Sequence, residues 1–267
     1  MGLSYNRVKG PEGVKVKEVH CSTALSRSKL ESDFALNPYS GCTHDCKYCY
    51  SPFVLRESRK WGNFVDVKRN IPKVLSEELK KKKGTVRIGS VTDPYQPLEE
   101  GYRITRMCLK QLARKKAPTI VQTKSILVTR DIDLFSRMNV DVGLTITSLD
   151  DDFCRRFEPG APSGKKRLQA VGKLVDAGVS TWVFIGPLMP LLNDDRDRVA
   201  ELVDSIRSIG VREIYLDKLN MREGIWDILK SMLDIDTMKE YRKIYRTDQG
   251  YFAEKKRELQ GLGKMVF

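Results

Sequence analysis

Apolar residues along this chain come in short runs separated by longer amphipathic stretches. The runs at 34–39, 86–91, 119–123, 141–147, 180–186 and 212–217 read as strands. Between them, 70–83, 103–116, 131–138, 165–177 and 195–209 carry apolar residues at helical spacing, one face of each turned to a core. Asn193, Asp194 and Asp195 supply N-cap chemistry for the last of these helices, and Gly178 ends the one before it, where positive φ costs little. Alternation of this kind predicts a parallel sheet with crossover helices. Six strands are too few for a closed eight-stranded barrel and suit an open partial TIM-type barrel, with its functional groups at the strand C-terminal ends.

Outside that pattern the chain changes character. Residues 1–33 are polar and rich in glycine, serine and lysine, and read as an irregular N-terminal arm wrapping the domain. The α/β barrel then occupies 34–217. From 218 to 267 the sequence turns to basic, aromatic-spiced helix, a C-terminal extension placed to close the open barrel edge or to help bind substrate, with packing the reading that its spaced tyrosines and methionines favour. A length of 267 residues fits one large α/β domain with a small appendage.

Composition narrows the setting. No apolar run approaches the roughly 18 residues that cross a bilayer, and no apolar signal stretch opens the chain. Of the six cysteines, Cys21, Cys108 and Cys154 stand singly, which argues against a disulfide framework and for a reducing cytoplasm. The formal charge of +13 favours a polyanionic partner such as nucleic acid. Its basic runs at 80–83, 114–116, 165–167 and 255–257 are dispersed, however, and solvated helix ends explain such runs equally well.

The remaining three cysteines carry the chemistry. Cys42, Cys46 and Cys49 follow a C-x3-C-x2-C spacing, three soft thiolates on one short loop, and soft sulfur selects iron–sulfur clusters, zinc or copper(I). A [4Fe-4S] cube on three thiolates keeps one iron free for a small molecule. Structural zinc is the competitor, but it usually draws on paired cysteines or spaced histidines. Here the only histidines are His20 and His44, the latter inside the loop.

The stretch from Asn37 to Tyr50 resembles the cluster loop of radical S-adenosylmethionine (SAM) enzymes, in the spore photoproduct lyase-like branch. The run from Ser90 to Pro97, Thr123-Lys124-Ser125, Arg130-Asp131 and Glu158-Pro159 resemble later motifs of that branch in the same order, so the likeness spans about 34 to 195. The resemblance implies a partial (β/α)6 barrel, a [4Fe-4S] cluster on Cys42, Cys46 and Cys49, and SAM bound through its amino and carboxylate groups at the open iron. One electron would then yield a 5′-deoxyadenosyl radical that abstracts hydrogen from a substrate. No glycine-rich dinucleotide fingerprint is evident, so the electron is expected from an external donor protein.

Residue roles follow by the same likeness. Tyr48, between two ligands, would pack near the adenine. Thr92 and Asp93, at the end of the second strand, would meet the SAM ammonium, which offers only donors. Lys124, closing the third, would meet the carboxylate. Thr145, Thr147 and Ser148 end the fourth, where hydroxyls suit the ribose. Tyr50 falls near the radical or simply packs, Arg130 and Asp131 form a structural pair, and Glu158 receives no catalytic role. Ser90 marks a departure: photoproduct lyases carry a hydrogen-donating cysteine two residues before the equivalent of Thr92. A serine O–H bond is too strong for that task, which argues against thymine-dimer repair unless another thiol such as Cys108 or Cys154 reaches the site, and both of these read as buried or incidental thiols. The competing reading of the whole is a non-catalytic iron–sulfur or zinc module that binds nucleic acid.

Overall fold

A computed structural model describes residues 10–28, 30–248 and 250–267. Among the described residues eleven strands run in chain order as β1 (Lys15–Val19), β2 (Leu25–Arg27), β3 (Phe34–Leu36), β4 (Tyr39–Ser40), β5 (Phe64–Lys68), β6 (Val86–Ile88), β7 (Thr119–Thr123), β8 (Val140–Thr145), β9 (Thr181–Leu188), β10 (Ile214–Lys218) and β11 (Lys264–Met265). Eight of them form one sheet in the order β11-β10-β9-β8-β7-β6-β3-β2. Within it β3, β6, β7, β8, β9 and β10 are mutually parallel, the six strands expected from the apolar runs. The helices that return the chain between them include α1 (Ser51–Leu55), α2 (Ile71–Glu78), α3 (Glu99–Tyr102), α4 (Ile104–Lys115), α5 (Ile132–Phe135), α6 (Asp151–Phe157), α7 (Gly164–Asp176) and α8 (Arg196–Ser208).

Strand alternation sets which residues enter the core. Val86, Ile88, Val121, Val142, Leu144, Val183, Ile185 and Leu216 are fully buried on the outer face of the sheet, packed with Leu109, Leu112, Val171, Leu174, Val203 and Ile206 of the surrounding helices. At ~25 cal/mol per Å² of apolar area removed from water, this layer is the main stabilising contribution of the barrel. Asp195 caps α8 by accepting the Arg198 N–H at 3.1 Å, as its place in the sequence predicts, and Gly178 follows α7 with φ +72°.

The arm departs from expectation. Rather than irregular, its described part holds two strands: β2 pairs antiparallel with β3, and β1 runs parallel to β5 in a small sheet of order β1-β5-β4. Ala24 and Leu25 are buried, so the arm also contributes to the core. Residues 1–9 of it lie outside the described residues. The first predicted strand, 34–39, divides into β3 and β4 across Asn37 and Pro38, because proline has no N–H to offer a ladder. The predicted helix at 131–138 shortens to α5, preceded by a 3-10 helix at Ile126–Asp131.

The C-terminal extension is helical as expected, with α9 (Glu223–Met232), α10 (Ile235–Arg246) and α11 (Tyr251–Glu258). Leu219, Ile225, Leu229 and Tyr241 pack with Tyr48, Phe153 and Phe157 in a second apolar cluster behind the cysteine loop. The chain then ends in β11, which pairs with β10 and supplies the last strand on that side of the sheet. No helix among the described residues is long and apolar enough to cross a membrane.

Candidate active site

Two backbone constraints shape the cysteine loop. It leaves β4 through Gly41, whose φ of +85° favours glycine and where a Cβ would stand 2.3 Å from the Phe64 carbonyl oxygen. The loop then presses against α6 and the segment after it: the Lys47 N–H donates to the Phe157 carbonyl at 2.8 Å, and the Gly160 N–H to the His44 carbonyl at 3.0 Å. Cys42 is buried, while Cys46 and Cys49 are half-buried. Burial pushes the Cys42 thiol up and raises that of Cys46 to about 12, so thiolates at these positions call for a bound cation.

The strand ends converge on this loop. The Thr92 hydroxyl donates to the Gly41 carbonyl at 2.6 Å, and the Thr43 N–H donates to Gln96 Oε1 at 3.1 Å. Asp93 receives four donors: the Tyr95 N–H at 2.8 Å and the Thr123 hydroxyl at 2.6 Å on Oδ1, the Lys124 N–H at 2.8 Å and His44 Nδ1 at 3.3 Å on Oδ2. Burial alone would raise its pKa, but these contacts bring it down to about 2. Asp93 thus joins the second strand end, the third strand end and the cysteine loop, a positioning duty that its place in the sequence does not announce.

A second buried carboxylate, given no role from the sequence, proves central to the site. Glu158 accepts the hydroxyls of Tyr48 and, at 2.7 Å, Thr147, and pairs with Arg167. Arg167 in turn donates to the carbonyls of Pro162 at 2.7 Å and Thr145 at 3.2 Å. Despite complete burial, which alone would raise it, the charge of Arg167 holds the Glu158 carboxyl to about 2. The only sequence sign of this residue is the Glu158-Pro159 motif.

Of the residues singled out beforehand, Tyr48, Thr92, Asp93, Lys124 and Thr147 all lie on this rim. Tyr48 is buried, its hydroxyl committed to Glu158 and Thr147, and Lys124 Nζ stands 5.6 Å from its ring centre. Thr147 is buried and its hydroxyl also reaches the Gly186 carbonyl at 3.2 Å. Lys124 Nζ makes no hydrogen bond or ion pair among the described residues. Tyr50 is exposed beside the loop and donates to the Ser90 carbonyl, while the Ser90 hydroxyl accepts from Asn37 Nδ2 at 3.0 Å. Arg130 and Asp131 do form a pair at 2.9 Å, joined by Glu99 and Arg106. Cys108 and Cys154 are buried thiols.

The residues present fit an iron–sulfur cube. Three soft donors stand on one loop, and between them Thr43 Oγ1 and His44 Nε2 are buried with no partner among the described residues. No three His, Cys, Asp or Glu side chains among the described residues converge on a single ion. A cube asks for another geometry, one thiolate on each of three irons.

Parallel strands, an open barrel and a three-thiol loop at the strand C-terminal ends define an α/β barrel enzyme built to hold a reactive group at its mouth. The chain belongs to the radical SAM superfamily, whose family model matches residues 36–203. It is therefore a radical SAM enzyme. Among its relatives is an uncharacterized protein of Methanocaldococcus jannaschii, 35% identical over 185 residues, which cover 68% of this chain and 70% of that one. A radical SAM Nalpha-GlyT isomerase of Pseudomonas phage M6 is 24% identical over 67% of this chain and 38% of its own length. Spore photoproduct lyase with bound AdoMet and dinucleoside spore photoproduct shares the fold at a TM-score of 0.68 and 14% identity, over 94% of this chain and 81% of that one.

Proposed function

We propose that Cys42, Cys46 and Cys49 hold a [4Fe-4S] cluster and that the rim formed by Tyr48, Thr92, Asp93, Lys124 and Thr147 receives SAM, the substrate being a nucleic acid. Cluster and SAM together supply, on one-electron reduction by an external donor, a 5′-deoxyadenosyl radical for hydrogen abstraction. The observation that carries this reading is the loop itself, three thiols on a turn that only glycine at position 41 allows, set against the ends of β6, β7 and β8.

Each protein group then has a defined task. Lys124 brings a cation to the SAM carboxylate. Thr92 and Asp93 fix the loop from below and present oxygens toward the ammonium. Glu158 orients Tyr48 so that its ring, rather than its hydroxyl, is offered to the adenine, and Thr147 lies beside it at the ribose side of the rim. The nucleic-acid substrate draws support from the charge of +13 and from the dinucleoside photoproduct held by the structurally similar lyase. Ser90 sets the chemistry apart from that lyase, since no thiol stands at its position to return a hydrogen atom.

Anaerobic reconstitution tests the reading. About four irons per chain and formation of 5′-deoxyadenosine under reduction are expected. One zinc with no SAM binding would replace it with a structural metal module.

A further inference from the structure

The inner face of the barrel carries a cation that the site described above does not use. Arg87 alternates with the fully buried Val86 and Ile88 of β6, so its side chain projects from the opposite face, into the barrel. On the same face Gln122 of β7, Gly143 of β8 and Trp182 of β9 stand in register. Tyr215 of β10, paired with Phe184, lies on this face one level further along.

Aromatic rings floor this space. Trp182 lies flat across β8: a Cβ at Gly143 would stand 2.2 Å from its ring, so a glycine there is what lets the indole settle on the strand. Tyr215 meets Trp182 edge to face, ring centres 5.5 Å apart at 85°. These rings and Arg87 share the lumen with the mouth. Arg87 acts electrostatically on Tyr50, the residue after Cys49, and is itself influenced by Tyr215 and Glu31.

What marks Arg87 is that no carboxylate among the described residues pairs with it directly. Its Nη1 donates to Gln122 Oε1 at 3.3 Å, and that amide is already bonded through Nε2 to the Thr145 hydroxyl at 3.3 Å. Its Nε is buried without a hydrogen-bond partner, and no carboxylate among the described residues forms an ion pair with it. Burial pulls its pKa down. A half-buried guanidinium with donors to spare is costly to keep unless something anionic pairs with it, and its planar fork suits a phosphate or carboxylate.

We infer that Arg87 holds a phosphate of the substrate, with the adjoining base seated against Trp182, so that a nucleotide unit enters the lumen beneath the cysteine loop. This rests on the nucleic-acid reading above and assigns it a place. Phosphate next to a flat base is the chemistry that a lone guanidinium beside aromatic faces recognises.

Equilibrium titration of the reconstituted full chain with a deoxynucleoside 5′-monophosphate, the parent nucleoside and benzoate tests the assignment. The nucleotide should bind at least about tenfold more tightly than the nucleoside, the margin one charge-assisted contact provides. Arg87→Gln should erase that ratio, Arg87→Lys should keep part of it, and Trp182→Phe should weaken both ligands alike. Because Arg87→Gln removes a half-buried charge that has no ion-pair partner among the described residues, its melting temperature should stay close to that of the wild type, which separates lost binding from lost folding. Equal binding of nucleotide and nucleoside to the wild type, or a ratio that survives Arg87→Gln, would overturn the inference. Benzoate binding as tightly as the nucleotide, and lost with Arg87→Gln, would also overturn it by making the ligand a carboxylate. SAM cleavage by the same wild-type preparation keeps the two readings apart. Cleavage without nucleotide binding sinks only the Arg87 assignment, and nucleotide binding without cleavage sinks only the radical one.

Discussion

The Glu158 carboxylate and the Arg167 guanidinium form an ion pair with both side chains 0% exposed, directly behind the tyrosine that separates Cys46 from Cys49. Such a pair adds little net stability relative to apolar residues, because desolvating two charges offsets most of their attraction. Its value lies in direction. The carboxylate fixes the Tyr48 hydroxyl and the Thr147 hydroxyl at once, so the loop and the end of β8 are held by one group.

Removing one partner should therefore be severe. Glu158→Gln leaves Arg167 charged and unpaired in the interior, and a loss of ~3–5 kcal/mol is expected from urea unfolding. Tyr48→Phe removes one donor and keeps the ring, and should cost about 1 kcal/mol. Equal losses in the two variants would show that the ion pair is not the anchor.

Acid gives the same pair a second test. The Glu158 carboxyl is held to about 2 in the folded chain and ionises near 4.3 when unfolded, so its contribution is fully present above that value and is lost as pH falls toward 2. The protonated side chain resembles glutamine. The stability gap between wild type and Glu158→Gln, ~3 kcal/mol at neutral pH by this linkage, should then narrow steadily below pH 4. A gap that stays constant from pH 7 to 3 would contradict it.

Gly41→Ala should damage the loop through its backbone. Positive φ and the 2.3 Å approach to the Phe64 carbonyl together force a shift of the turn that carries Cys42. A cost of ~1–3 kcal/mol in thermal unfolding is expected, with iron incorporation reduced in proportion to the displaced thiol. Full iron content at unchanged stability would remove the glycine from the account.

Lys124 should act on SAM rather than on the fold. Its Nζ is unbonded among the described residues, so Lys124→Met should leave the melting temperature within a few degrees of wild type. The SAM concentration for half-maximal cleavage should rise about tenfold or more, as expected for one charge-assisted contact. An unchanged requirement for SAM would place the carboxylate elsewhere.

How much of this was legible beforehand depends on what kind of signal each feature leaves. The six parallel strands were, because strands covered by helices need apolar residues, and β6 to β10 supply them. β1 was not: the exposed Lys15, Lys17 and Glu18 leave only two half-buried valines, Val16 and Val19, which do not alternate, and nothing distinguishes such a stretch from a polar arm. β5 escaped although Phe64, Val65 and Val67 are buried, because it pairs in the small sheet outside the strand–helix alternation of the barrel, and β4 is the tail of the predicted 34–39 strand, detached at Pro38. The thiols were legible from spacing and Asp93 and Lys124 from family likeness, yet the four donors on Asp93 come from the segment after β6, the end of β7 and the residue after it, and the cysteine loop, a convergence that no local window contains. Glu158 and Arg167 are nine residues apart in sequence, and only the packing of α6 and α7 reveals that their charges meet. Arg87 was hidden by its strand, where a single charge between valine and isoleucine reads as surface unless the barrel turns it inward.

The measurement closest to the central claim is reductive cleavage of SAM by the anaerobically reconstituted chain, followed as 5′-deoxyadenosine by mass spectrometry beside a Cys46→Ala variant. The account predicts product from the wild type, with about four irons per chain, and none above background from the variant. Full cleavage by Cys46→Ala, or none by iron-loaded wild type, would contradict it.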